Sequence, residues 1–174
     1  MKNSIKLLFT ILFGSIVTLT SCSKDEDYTM SNDQFVAEAS SANMFEVAAG
    51  NLAVQKSTNT SVTAYGQHMV DDHGTAITEM MALATKKGWN IPTAMMQKHQ
   101  DKINVMTALS GSAFDRQFAT MMVTSHQETI ALFEKASANN GVPDGDLRSM
   151  ASAKLPTLRT HLQSAQQLQT QVGQ

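Results

Sequence analysis

Three side chains able to ligate a metal or move a proton interrupt apolar helical stripes in this chain: Glu46, His73 and His126. The two histidines stand 53 residues apart, and the segment around them is repeated at that offset. "HMVDDH" at 68–73 is echoed by "MMVTSH" at 121–126, and Tyr65, Met69, Val70, Ile77 and Gly88 match Phe118, Met122, Val123, Ile130 and Gly141. The same offset pairs Glu46 with His99. His161 lies on the edge of a further stripe of Leu158, Leu162 and Ala165. Glutamate and histidine projecting inward from several helices is how metal centres in helical bundles are built, and imidazole with carboxylate suits Zn, Fe or Mn. The candidate ligand set is therefore Glu46, His73, His126 and His161, supported by Asp72, Asp115, His99 and Arg159. A second reading needs no metal. The same groups can form a hydrogen-bonded polar layer that fixes helix register.

Departures from known patterns narrow the chemistry. A di-iron carboxylate centre needs Glu three residues before His on two helices, but Val70 and Val123 hold those places. Met69 with His73 and Met122 with His126 are i, i+4 pairs that share a face, a soft combination suited to Cu(I); methionine in such stripes also serves as core filler. Asp71 and Asp72 diverge by ~100° on a helix and make no paired-carboxylate site by themselves. Asp72 is expected either to reach a base such as Arg159 across the bundle or to be a solvated surface acid. No phosphate-binding loop, His-Glu-x-x-His helix or Ser-His-Asp arrangement is recognisable, so no catalytic residue is assigned.

The elements that must position these groups read as helices throughout, with no period-2 run. Ser31, Asn32 and Asp33 offer N-caps for a first helix to about Ser57, with Phe35, Ala39, Ala42, Glu46, Ala49 and Ala53 along its seam. A second helix follows from Thr60 to Lys87, ended by Gly88. Pro92 suits the first turn of a shorter third helix reaching Leu109. The fourth spans about Ala113 to Asn139 and the fifth Asp144 to Gln169, where Pro156 predicts a kink. Short loops between long helices imply antiparallel neighbours. The fold class is all-α: an up-and-down bundle of four long helices and one shorter one.

The 174 residues suffice for one domain with a real core. Net charge is −2. Setting aside Lys2 and Lys6, 11 basic residues face 15 acidic ones, a balance that argues against a nucleic-acid partner. Six per cent aromatic residues and twelve methionines point to an aliphatic, adaptable interior. "MKNSIK" is a basic leader, followed by the apolar run "LLFTILFGSIVTL", which is short for a membrane span. "LTSC" then resembles a lipobox, with Cys22, the sole cysteine, at the acylation position. Several acyl chains on Cys22 give durable attachment where one is marginal; the competing reading is a free thiol beside an ordinary cleavage site. The organisation expected is a signal peptide at 1–21, an acidic flexible tether at 22–30 and a bundle domain at 31–171. Lys24, Asp25, Glu26 and Asp27 resemble the surface-export tract of lipoproteins in Bacteroidota-type bacteria, or form a solvated spacer below the membrane.

"YGQHMVDDH", "LSGSAFDRQFATMMVTSHQETIALFEK" and "LPTLRTHLQSAQ" together resemble a bacterial envelope domain of unknown function, often labelled predicted outer membrane proteins, over about residues 32–168. The resemblance implies a ferritin-like helical bundle. It places the recurring Asp-His of that family on Asp72–His73, its Phe-Asp on Phe114–Asp115, its second histidine on His126, and its Leu-Pro…His on Leu155, Pro156 and His161. Glu46 also matches. It supplies no established reaction, and nothing here alternates as a β-barrel strand must. Three functional readings follow. The first is a lipoprotein anchored in the outer membrane, periplasmic or surface-exposed, acting as a binding or stress-related module. The second is a bundle binding a transition-metal cofactor (Zn, Fe or Mn, with Cu as a variant) through its mid-bundle Glu and His. The third is a structural or partner-docking lipoprotein. The membrane, through acylated Cys22, is the one partner that the sequence implies.

Overall fold

The computed structural model describes residues 28–173. Cys22, the signal segment and most of the acidic tether lie outside those residues. Five helices follow in order: α1 (Asn32–Lys56), α2 (Thr60–Lys87), α3 (Gln97–Thr107), α4 (Gly111–Ser137) and α5 (Gly145–Val172). No strand occurs among the described residues, and none of these helices is long and apolar enough to cross a membrane.

Local chemistry sets the helix ends. Ser31 caps α1 by accepting from the Gln34 backbone N–H, and the Gln34 side chain accepts in return from Ser31 N–H. Asn59 caps α2 and Asp144 caps α5 through their side-chain oxygens. Gly88 ends α2 at φ 71°, a left-handed conformation that glycine adopts without strain. One expectation is corrected at this level. Pro92 does not open the third helix, which begins only at Gln97 after Met96. The Met96 N–H instead donates to Ser41 Oγ on α1, tying the preceding loop to the bundle. Ahead of α1, Thr29 and Met30 donate backbone N–H groups to the Asn140 and Gly141 carbonyls.

The three-residue link between α1 and α2 forces an antiparallel hairpin, and α4 pairs with α5 in the same way. The hairpins meet chiefly along α1 and α4, with α3 leaning on both. Gly50 and Gly66 let α1 and α2 approach closely: a Cβ on Gly50 would stand 2.4 Å from the Gly66 carbonyl oxygen. α5 continues through Pro156 as one helix.

The core is divided. One apolar cluster gathers Phe45, Ala49, Met69, Phe118, Met122 and Ala165. The other holds Phe35, Ala39, Met80, Phe133, Leu147 and Leu158. On every long helix a buried polar residue falls at the change from one cluster to the other: Asn43 on α1, His73 on α2, His126 on α4 and His161 on α5, with buried Glu46 just inside the first cluster. A polar layer therefore separates two apolar cores.

Candidate metal centre

His73, His126 and His161 meet in that layer. Their ring centroids form a near-equilateral triangle, 5.7 Å from His73 to His126, 5.5 Å from His73 to His161 and 5.4 Å from His126 to His161. All three are buried. Each ring uses one nitrogen as a donor to an oxygen that can only accept. His73 Nδ1–H donates to Asn43 Oδ1 at 2.8 Å, His126 Nδ1–H to the Met122 carbonyl at 2.8 Å, and His161 Nε2–H to Asp72 Oδ2 at 3.0 Å. These bonds fix the tautomers, so the lone pairs lie on His73 Nε2, His126 Nε2 and His161 Nδ1. Those three nitrogens are buried and accept no hydrogen bond among the described residues. One ring nitrogen from each histidine lies within 4.8 Å of the others.

Burial holds all three imidazoles neutral at ordinary pH. It pushes His126 and His161 down to about 4, the Met122 carbonyl pulling His126 back slightly and a charged His126 pressing further on His161. His73 is held well below the ordinary histidine range, by burial first and then by His126 and His161. Glu46 answers to the same cause with the opposite sign: burial pushes its carboxyl up to about 8, against weaker pulls from the Ser125 hydroxyl and the Lys102 charge. Glu46 Oε1 lies 3.7 Å from His126 Nδ1, on the side of the ring turned to Met122 and away from the lone-pair nitrogen.

Residues 18–168 match the family described as Domain of unknown function (DUF4142). The chain belongs to this family. Among solved structures it is similar to "CopM in the Cu(II)-bound form", with a TM-score of 0.67 over 82% of this chain and 97% of that one. At 14% identity that likeness concerns the fold, a helical bundle. No curated protein matches the sequence.

The remaining candidates disperse. His99 is buried but outside the triangle. Ser41 Oγ, which accepts from Met96 N–H, shares a hydrogen bond of 2.6 Å with His99 Nδ1, and the ring stacks on Phe45. Asp115 is buried near the start of α4, away from the three nitrogens. Arg159 does not reach Asp72: it is exposed and pairs with Glu134 at 2.7 Å, while Asp72 takes His161 and, at 3.6 Å, His68. Met69 and Met122 are packed in the apolar cluster with Phe45 and Phe118. Sequence reasoning passed over Asn43 and His68. Asn43 carried a faint signal, a polar residue one turn before Glu46; His68 carried a better one, its i, i+4 spacing to Asp72.

Proposed function

We propose that this bundle binds one borderline transition-metal ion through His73 Nε2, His126 Nε2 and His161 Nδ1. The observation that carries the reading is the set of three buried, unpartnered lone pairs, each on a ring whose other nitrogen is held by an acceptor. Ligating histidines characteristically donate their second N–H to a carboxylate or carbonyl, which fixes the ring and raises its basicity. An unpartnered buried acceptor costs roughly 1–3 kcal/mol, and a shared ion would relieve three at once. At Zn–N distances of ~2.0–2.1 Å, tetrahedral ligands stand ~3.4 Å apart, against an upper limit of 4.8 Å between one ring nitrogen of each histidine here. Three neutral imidazoles suit Zn(II) and Cu(II) and disfavour the oxygen-seeking Mg and Ca. The Cu(II)-bound form of the similar bundle CopM makes Cu(II) the natural first probe.

Three protein ligands leave a fourth position. A cavity of about 260 Å³ lined by Asn43, Asp72, His73, Thr129, Lys154 and His161 adjoins the site and gives water or a small ligand room to occupy it. Cys22 as an acylated anchor in the outer membrane, with the bundle on either face, completes the proposal, and its support is the N-terminal sequence alone.

The test uses purified protein beginning at Ser23, which keeps all five helices and leaves out the Cys22 thiol, itself a metal ligand. Titration with Cu(II) and Zn(II) should give one ion per chain and a rise in melting temperature. His73→Ala with His126→Ala should weaken binding at least ~100-fold. A wild-type protein that takes up no metal and shows no thermal shift would leave the polar layer as a structural network only.

A further inference from the structure

A second cluster stands at the mouth of the first. His68 Nε2 lies 3.6 Å from Asp72 Oδ2, and His161 Nε2 lies 3.0 Å from the same oxygen. The His68 and His161 rings are 5.0 Å apart, edge to face. One ligating atom from each of the three residues lies within 4.8 Å of the others. Here burial differs: the His68 and Asp72 side chains are 54% and 39% exposed, against 4% for His161. His161 belongs to both clusters, offering Nδ1 inward and Nε2 outward.

We propose that His68, Asp72 and His161 form an outer, solvent-reachable site that captures a divalent transition-metal ion and passes it to the buried three-histidine site. The inference rests on the function proposed above. His68 and Asp72 are neighbours on one face of α2, one turn apart. Asp72 brings a full negative charge that the inner imidazoles lack, so a hydrated cation meets an attractive carboxylate before it meets neutral nitrogens.

The shared ring makes the two sites exclusive. A neutral imidazole has one lone pair and one N–H. With Nε2–H donating to Asp72, His161 presents its lone pair inward. For an ion to bind outside, Nε2 must give up that hydrogen and Nδ1 must hold it, which removes one inner ligand. In the handover the metal–Nε2 bond breaks, Nε2 takes a proton back, and Nδ1 releases one as it binds the ion. The net change in protons is zero: solvent entering the adjoining cavity lined by Asp72, His73 and His161 supplies the proton to Nε2 and accepts the one from Nδ1. A chain therefore holds one ion at a time.

Stopped-flow transfer of Zn(II) from a chromophoric chelator to the same purified protein tests this. Wild type should take up one Zn(II) per chain. His68→Ala changes an exposed side chain, and should slow uptake at least fivefold while leaving equilibrium affinity within about threefold. His73→Gln with His126→Gln, chosen to preserve volume, should still bind one Zn(II), at least ~100-fold more weakly, and lose it when His68→Ala is added. Unchanged uptake in His68→Ala, or two ions bound together by wild type, overturns the handover and leaves the inner site standing. Zn(II) binding that is lost with His68→Ala yet indifferent to His73 and His126 would overturn the inner reading and keep the outer site.

Discussion

Glu46→Gln gives a direct measure of the polar layer's electrostatics. The carboxyl is buried and held up at about 8 from an ordinary 4.5, so across that window the folded chain keeps a proton that the unfolded chain releases. The sign follows: stability contributed by the protonated group is complete below pH 4.5 and is lost as pH rises towards 8. At ~1.36 kcal/mol per pH unit, the loss between pH 5 and pH 8 is about 3 kcal/mol. Glutamine keeps the shape and cannot ionise. Any cost of seating its amide is independent of pH, so the slope is the informative quantity. The three histidines act in the other direction. Their depressed values mean that stability is present above 6.5 and lost as pH falls, towards about 4 for His126 and His161. Wild type, stripped of metal by a chelator, should thus be most stable near pH 6.5 and weaken on both sides. Urea unfolding of both proteins at pH 5, 6, 7 and 8 reads this. The advantage of Glu46→Gln over wild type should grow by about 3 kcal/mol across the series, and its curve should stay flat above pH 6.5. Parallel curves for the two proteins would refute a buried, neutral Glu46.

Three further outcomes are expected. Asp72→Asn keeps an acceptor for His161 Nε2–H but removes its charge, and should weaken metal binding ~10-fold or more by calorimetric titration; unaltered affinity would deny Asp72 a part in holding His161. Gly66→Ala sets a Cβ 2.7 Å from Ala53 Cβ and 2.9 Å from the Gly50 carbonyl oxygen, so α1 and α2 must separate. The cost should be about 1–3 kcal/mol, seen as a melting point lower by several degrees, and an unchanged melting point would contradict the close approach. Cys22→Ser should move the protein from the membrane to the soluble fraction of cells, whereas continued membrane association counts against acylation.

Much of the fold was legible because burial writes itself into helical spacing. Phe35, Ala39, Ala42, Glu46, Ala49 and Ala53 share one face of α1 at intervals of three and four, and all are buried. The end of α2 followed from Gly88, whose lack of a side chain suits it to close a helix. α3 was misjudged because Pro92 can open a helix but does not oblige one, and a contact 55 residues away, Met96 to Ser41, governs that loop.

The site divides along the same line. The sequence by itself determined that His73 and His126 face the interior, since each replaces an apolar residue in a buried stripe, and the 53-residue repeat put them at matching heights. It could not tell Glu46 from His161, because both combine a ligating group with an inward or edge position. Only the tertiary structure decided that, through rotations of whole helices about their axes. α5 turns His161 into the triangle, α3 carries His99 onto Phe45, and α1 presents Glu46 to the far side of the His126 ring. Which nitrogen keeps its lone pair was decided there as well. A tautomer depends on the acceptor across the gap, and Asn43 and Asp72 stand 30 and 89 residues from the rings they orient.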